Sequence, residues 1–158
     1  MRRLESYRVP ANLVGSKGRD GPIPAKLGKF FRDRDELPSA GNLGKTINDA
    51  LEKSNALIVI CSTTSARSQW VNAEIEAFRQ KGNEDTIFSF IVDGDPASRD
   101  PEIAAFPYAL LKPNIEGEPE REPLAADARK EGDGRERAFI KLVAGLLGVG
   151  FDDLAQRE

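Results

Sequence analysis

The sequence predicts an α/β fold built on a central parallel sheet, and three observations carry that prediction. The run "ALIVICS", residues 56–62, is continuously apolar and β-branched, as suits a strand buried on both faces. A second apolar run, "TIFSFIVDGDP" at 86–96, closes on Gly94 and Pro96. Stretches of helical periodicity lie before, between and after these runs. Strand, helix, strand, helix, strand and a closing helix is the alternation of a parallel sheet with right-handed crossovers. Ligands in such sheets sit at the carboxyl ends of the strands, which singles out the loops at 33–42, 62–68 and 93–106.

The elements follow in order. "MRRLESYRVP" reads as the end of a helix that stops before Pro10, because the residue before proline is pushed out of helical geometry. Residues 11–29 hold four glycines and two prolines along with Lys17, Arg19, Lys26 and Lys29, and read as a solvated connector. Lys29 to Arg32 is a short strand running into a charged turn that ends at Pro38. Leu43, Ile47, Ala50 and Leu51 then form one apolar face of a helix from about Asn42 to Ser54. After "ALIVICS" and a Ser/Thr-rich loop, "SQWVNAEIEAFRQKG" is a helix with Ser68 as its N-cap and Gly82 as its stop. Residues 95–134 lack periodicity, with short candidate strands at "FPYALL" and "PLAADA". Phe139, Leu142, Val143, Leu146 and Leu147 mark a last amphipathic helix ending near Gly148 and Gly150.

Composition narrows the function classes. The 158 residues fit one domain, here 1–158. No apolar run approaches the roughly 18 residues of a membrane span, so this segment is expected to make no membrane contact. No signal-peptide pattern is present, which favours the cytoplasm. A formal net charge of −3 and a pI near 5.2 argue against a nucleic-acid-binding surface. Cys61 is the single cysteine and there is no histidine, which removes Cys-His and Ser-His-Asp catalysis, disulfides and the usual metal sites. Carboxylates are left as the reactive groups, and no metal is expected.

"SAGNLGKT" at 39–46 almost spells a phosphate-binding loop, yet Ser39 stands where the motif needs glycine. Six residues, Asp33, Asp35 and Glu36 among them, also separate it from "KFFR", whereas a phosphate loop comes directly off a buried strand.

The stretch "FRDRDELPSAGNLGKTINDALEKSNALIVICSTTSARSQWVNAEIEAF", residues 31–78, resembles the heart of a bacterial Toll/interleukin-1 receptor (TIR) domain. "RDELPSAG" is similar to the family's BB loop, with Arg34, Asp35, Pro38 and Gly41 filling its Arg-Asp-x-x-Pro-Gly pattern with one extra residue. "SQWVNAE" resembles its helix signature, a Trp followed four residues later by Glu, and the closing segment from Ala138 looks like the end of bacterial members. The resemblance implies a flavodoxin-like three-layer sandwich with sheet order 2-1-3-4-5. It also exposes a departure: the family's first strand, bearing a Phe-x-Ser-Tyr-like box, is missing, and the chain starts in what resembles the helix after it. A fragment of a longer protein is the resulting expectation.

Residues 70, 74 and 78 are successive i+4 neighbours, so Glu74 lies between Trp70 and Phe78 on one stripe. Spacing leaves two readings open: a carboxylate set against aromatics for chemistry, or a stripe along the boundary of the buried face with Glu74 reaching water. The resemblance implies the first, since the matching glutamate of enzymatic TIR domains is essential for cleaving NAD+ to nicotinamide and ADP-ribose or a cyclic isomer. By the same resemblance Glu74 is the catalytic residue and NAD+ a substrate rather than a cofactor. Trp70 shapes the nicotinamide-ribose pocket or packs in the core. Asp33, Arg34 and Leu43 match positions at or near the family's substrate-side loop, or are a turn carboxylate, a surface cation and a core-facing helix residue; Ser68 is at least a cap and is counted with the substrate-binding candidates. The rival class is a non-enzymatic module that binds other TIR domains through the loop at 34–42. The two are compatible in a homo-oligomer, because family enzymes often become active on assembly.

Overall fold

The computed structural model describes residues 2–32 and 43–156. The chain opens with one helical turn, α1 (Arg2–Glu5), and then leaves helical geometry earlier than Pro10 requires. The Val9 N–H donates to the Ala25 carbonyl at 3.0 Å and Arg8 bridges Lys26 antiparallel, so pairing with the returning chain ends the helix. Within the expected connector lies a small antiparallel hairpin, β1 (Lys17–Gly18) and β2 (Gly21–Pro22).

Helix α2 spans Leu43–Lys53 and buries Ile47 and Leu51, the face its periodicity predicts. Strand β3 is Leu57–Cys61. The Ser/Thr-rich loop after it contains a helical turn, α3 (Thr63–Ala66), closed by a reciprocal capping box between Ser62 and Ser65. Helix α4 covers Gln69–Gln80 and strand β4 Ile87–Ile91. A single turn, α5 (Tyr108–Leu111), and a short strand, β5 (Ala125–Asp127), come next. Helix α6 (Arg135–Leu147) stops at Gly148, which takes the left-handed conformation at φ 72°, and α7 (Phe151–Ala155) follows.

The sheet is parallel in the order β3-β4-β5, with Leu57 opposite Ile87 and Ser89 opposite Ala125. Alternation along the strands supplies two cores. Val59, Cys61 and Ile91 pack with Ile75 of α4 and with Ala109 and Leu110 of α5. Ile58, Phe88 and Phe90 face the other way, against Phe139, Leu142 and Val143 of α6, with Leu4, Tyr7 and Leu154 completing that cluster. Helix α2 sits beside α4, joined through Ile47, Leu51 and Phe78. Helices thus cover both faces of a parallel sheet, the flavodoxin-like three-layer arrangement.

Two sequence expectations are corrected. Lys29 to Arg32 is not a strand: among the described residues no strand pairs beside it, and without a ladder partner the segment packs instead. Phe30 leans on the α6 core and Arg32 bonds Glu5 at 3.2 Å. "FPYALL" is not a strand either. Its run is too short for periodicity to separate strand from buried helix, and Ala109, Leu110 and Leu111 are buried as the turn α5. "PLAADA" does hold a strand, β5.

Candidate active site on helix α4

Helix α4 begins where local chemistry dictates. Ser68 has extended backbone geometry and its hydroxyl accepts from the Val71 N–H at 3.3 Å. The far end passes through Lys81 to Gly82 at φ 80°, a conformation that costs glycine little. Between these ends, Ile75 and Phe78 are fully buried, and Val71 is half-buried beside them.

The stripe Trp70, Glu74, Phe78 descends from solvent into the core. Trp70 is 60% exposed, Glu74 is half-buried and Phe78 is 0% exposed. Trp70 is therefore not a core residue, which removes one of its two sequence readings. Position 74 lies about 40° around the helix from position 78 and so on the flank where Phe78 meets α2. Ser68 is the N-cap of α4, and Trp70 and Glu74 lie within its first two turns. Leu43 opens α2, the helix packed beside α4, but its side chain is outside the described part. Asp33, Arg34, Asp35, Pro38 and Gly41 all lie outside the described residues.

The opposite flank of α4 carries residues that sequence reasoning missed. Asn72 Oδ1 accepts the Ala109 N–H at 2.8 Å, and Arg79 Nη1 donates to the Ala109 carbonyl at 2.8 Å. The available signal was that Asn72 and Arg79 are polar, seven residues apart and therefore on one face, next to the buried Ile75. Arg79 also donates to Glu84 Oε1 at 3.1 Å, and Arg121 pairs with the other oxygen of Glu84 at 2.8 Å. Burial pushes the Glu84 carboxyl up, but hydrogen bonds from Asn114, Arg79 and Arg121 outweigh it and hold it below its ordinary value.

A second polar cluster was equally invisible in the sequence. Arg129 donates to both oxygens of Asp127, at 2.9 and 2.7 Å, and to the Gly94 carbonyl at 2.9 Å, which holds Asp127 below the usual carboxylate range. It borders an open cleft of about 470 Å³ at the carboxyl ends of β4 and β5, lined by Asp93, Gly94, Lys130 and Arg135 as well. A smaller cleft of about 300 Å³ lies between α3 and α5, with Arg67, Arg99, Phe106 and Tyr108 on its walls. Glu74 lines neither. Burial pushes the Cys61 thiol up to about 12, so it is a small core residue rather than a nucleophile. Among the described residues, no three His, Cys, Asp or Glu side chains stand together as a metal site would need.

The sequence model of the TIR domain family matches residues 26–129. The chain belongs to the TIR domain family, and its parallel sheet flanked by helices is that family's flavodoxin-like fold. A relative from an Actinoplanes species, NAD(+) hydrolase ApTIR, is 31% identical over 139 residues, covering 80% of this chain. The chain spans only 19% of that relative's length. No solved structure matches it.

Proposed function

We propose that this TIR domain cleaves NAD+ to nicotinamide and ADP-ribose or a cyclic isomer, with Glu74 as the catalytic residue. The observation that carries the proposal is Glu74 itself: a half-buried carboxylate on the α2 flank of α4, one turn below an exposed Trp70. The named activity of the Actinoplanes relative supports the same substrate.

The chemistry asks for one carboxylate. When the bond from ribose C1′ to the pyridinium nitrogen breaks, its electron pair goes to the ring and nicotinamide departs neutral, so no acid has to protonate the leaving group. An oxocarbenium-like ribose remains, and the ionised Glu74 stabilises it by charge and by hydrogen bonding to the ribose hydroxyls. Water then adds to C1′ and loses a proton to solvent, or a nucleophile within the ADP-ribose closes a cyclic product. Trp70 offers an aromatic wall for the nicotinamide end, and Ser68 orders the first turn beneath it. The reaction needs no metal or further cofactor.

Assembly belongs to the proposal. The segment resembling the BB loop, with Arg34, Asp35, Pro38 and Gly41, joins copies of the domain in the cytoplasm, and the same contact would serve a purely scaffolding module. Following NAD+ by chromatography separates the two. Equal amounts of nicotinamide and of ADP-ribose products, rising more steeply than enzyme concentration, support an assembled enzyme. A concentrated, assembled chain that leaves NAD+ intact supports the scaffold.

A further inference from the structure

We infer that Asn72 and Arg79 form a two-point clamp on Ala109 that fixes the rotation of α4 and thereby places Glu74; both are positioning residues for the cleavage proposed above, and the inference rests on that reading.

Ala109 is 3% exposed and sits in the one-turn helix α5, whose N-cap, Pro107, supplies no side-chain hydrogen bond. Its backbone groups are instead satisfied from α4. Asn72 Oδ1 takes the N–H at 2.8 Å and Arg79 Nη1 gives to the carbonyl at 2.8 Å. Both anchors are themselves held. Asn72 Nδ2 donates to the Ser68 carbonyl at 2.9 Å, while Arg79, its side chain 9% exposed, also engages Glu84 and Asn114. On the other side, α5 is fastened to the sheet, since Ala109 and Leu110 pack with Val59, Cys61 and Ile91. The clamp therefore references α4 to the sheet.

Geometry makes this matter at Glu74. Residues 72 and 79 are two turns apart on one flank, and residue 74 lies about 160° around the axis from residue 72, across the buried strip of Ile75 and Phe78. That apolar strip resists removal from the core but has no directional bond to stop it rolling. The paired hydrogen bonds supply direction, and any roll they permit swings the Glu74 carboxylate. A misplacement of about 1 Å at a reacting group costs on the order of 10²-fold in rate.

The test measures nicotinamide release by the parent, Asn72→Ala and Asn72→Asp, with folding checked by circular dichroism and exchange of the Ala109 amide followed by NMR. Asn72→Ala is expected to lower kcat by about 10- to 100-fold with KM little changed, and to speed Ala109 exchange. Asn72→Asp keeps an acceptor for the Ala109 N–H but loses the donor to the Ser68 carbonyl, and is expected to restore part of kcat. Should Asn72→Ala fail to fold, Arg79→Lys, which keeps the charge and loses the planar fork, is expected to show the same loss confined to kcat. Unchanged kcat in a folded Asn72→Ala or Arg79→Lys, or a loss confined to KM, overturns the clamp while leaving the glycohydrolase reading intact. A parent that never cleaves NAD+ overturns both.

Discussion

The backbone of Gly94 lies so close to Ala105 that a Cβ on residue 94 would come within 2.8 Å of the Ala105 Cα. Gly94 also has φ +90°, a conformation side chains rarely adopt. It lets the chain leaving β4 fold back on itself, where Asp95 N–H bonds the Ile103 carbonyl at 2.7 Å. Replacing Gly94 by Ala adds strain and a backbone clash together, and should cost about 2 kcal/mol or more, lowering the melting temperature by roughly 4–8 °C. Thermal unfolding followed by circular dichroism checks this, and an unchanged midpoint would refute it.

Ser68 can be tested as a cap separately from any contact with substrate. Ser68→Ala removes the acceptor for the Val71 N–H and should cost about 1 kcal/mol in denaturant titrations, whereas Ser68→Asp keeps an acceptor and should stay near the parent. If Ser68→Asp is stable but binds NAD+ more weakly, the hydroxyl serves the substrate as well.

The strength of the local signals explains what the sequence made legible. Both ends of α4 rest on single residues, Ser68 and Gly82, whose chemistry is local, and β3 and β4 lie in apolar runs of β-branched and aromatic residues. The stripe of Trp70, Glu74 and Phe78 follows from helical spacing alone. By contrast, the partner of Asn72 and Arg79 is a backbone group 37 and 30 residues away, so no pattern near either residue announces it. Lys29 to Arg32 misleads for the same reason in reverse: strand composition is local, but a strand needs a neighbour that only the fold provides. The short run at Phe106 to Leu111 carries no period that decides between strand and helix.

Trp70 is the only tryptophan and is largely exposed, so Trp70→Ala should leave stability within about 0.5 kcal/mol of the parent while lowering NAD+ cleavage. Its fluorescence also reports directly on the neighbourhood of Glu74. Saturating NAD+ should quench it in Glu74→Ala, where no turnover confuses the reading. A spectrum indifferent to NAD+ would remove Trp70 from the pocket.

Acid should weaken the fold through Glu84. Its folded pKa is depressed, so its contribution is fully present above its ordinary 4.5 and is lost as pH falls through the lower folded value. Asp127 and Asp133 are depressed too and add to the same acid limb. Glu84→Gln should therefore be less stable than the parent at neutral pH and lose less on acidification below pH 4.5. Parallel pH profiles for the two proteins would contradict this.

Cys61, buried and with its thiol pushed up to about 12, should resist thiol reagents at pH 8 until the protein is unfolded in denaturant. Rapid labelling of the native chain would show that the β3 end opens readily.

The most direct measurement is nicotinamide release from NAD+ by the concentrated parent and by Glu74→Ala, the two matched for folding by circular dichroism. Release by the parent with a loss of at least about 10²-fold in the variant is the predicted result, since the carboxylate acts on charge that exists only in the transition state. Equal release by both proteins, or none from a folded and assembled parent, would contradict the assignment of Glu74 as the centre of an NAD+-cleaving site.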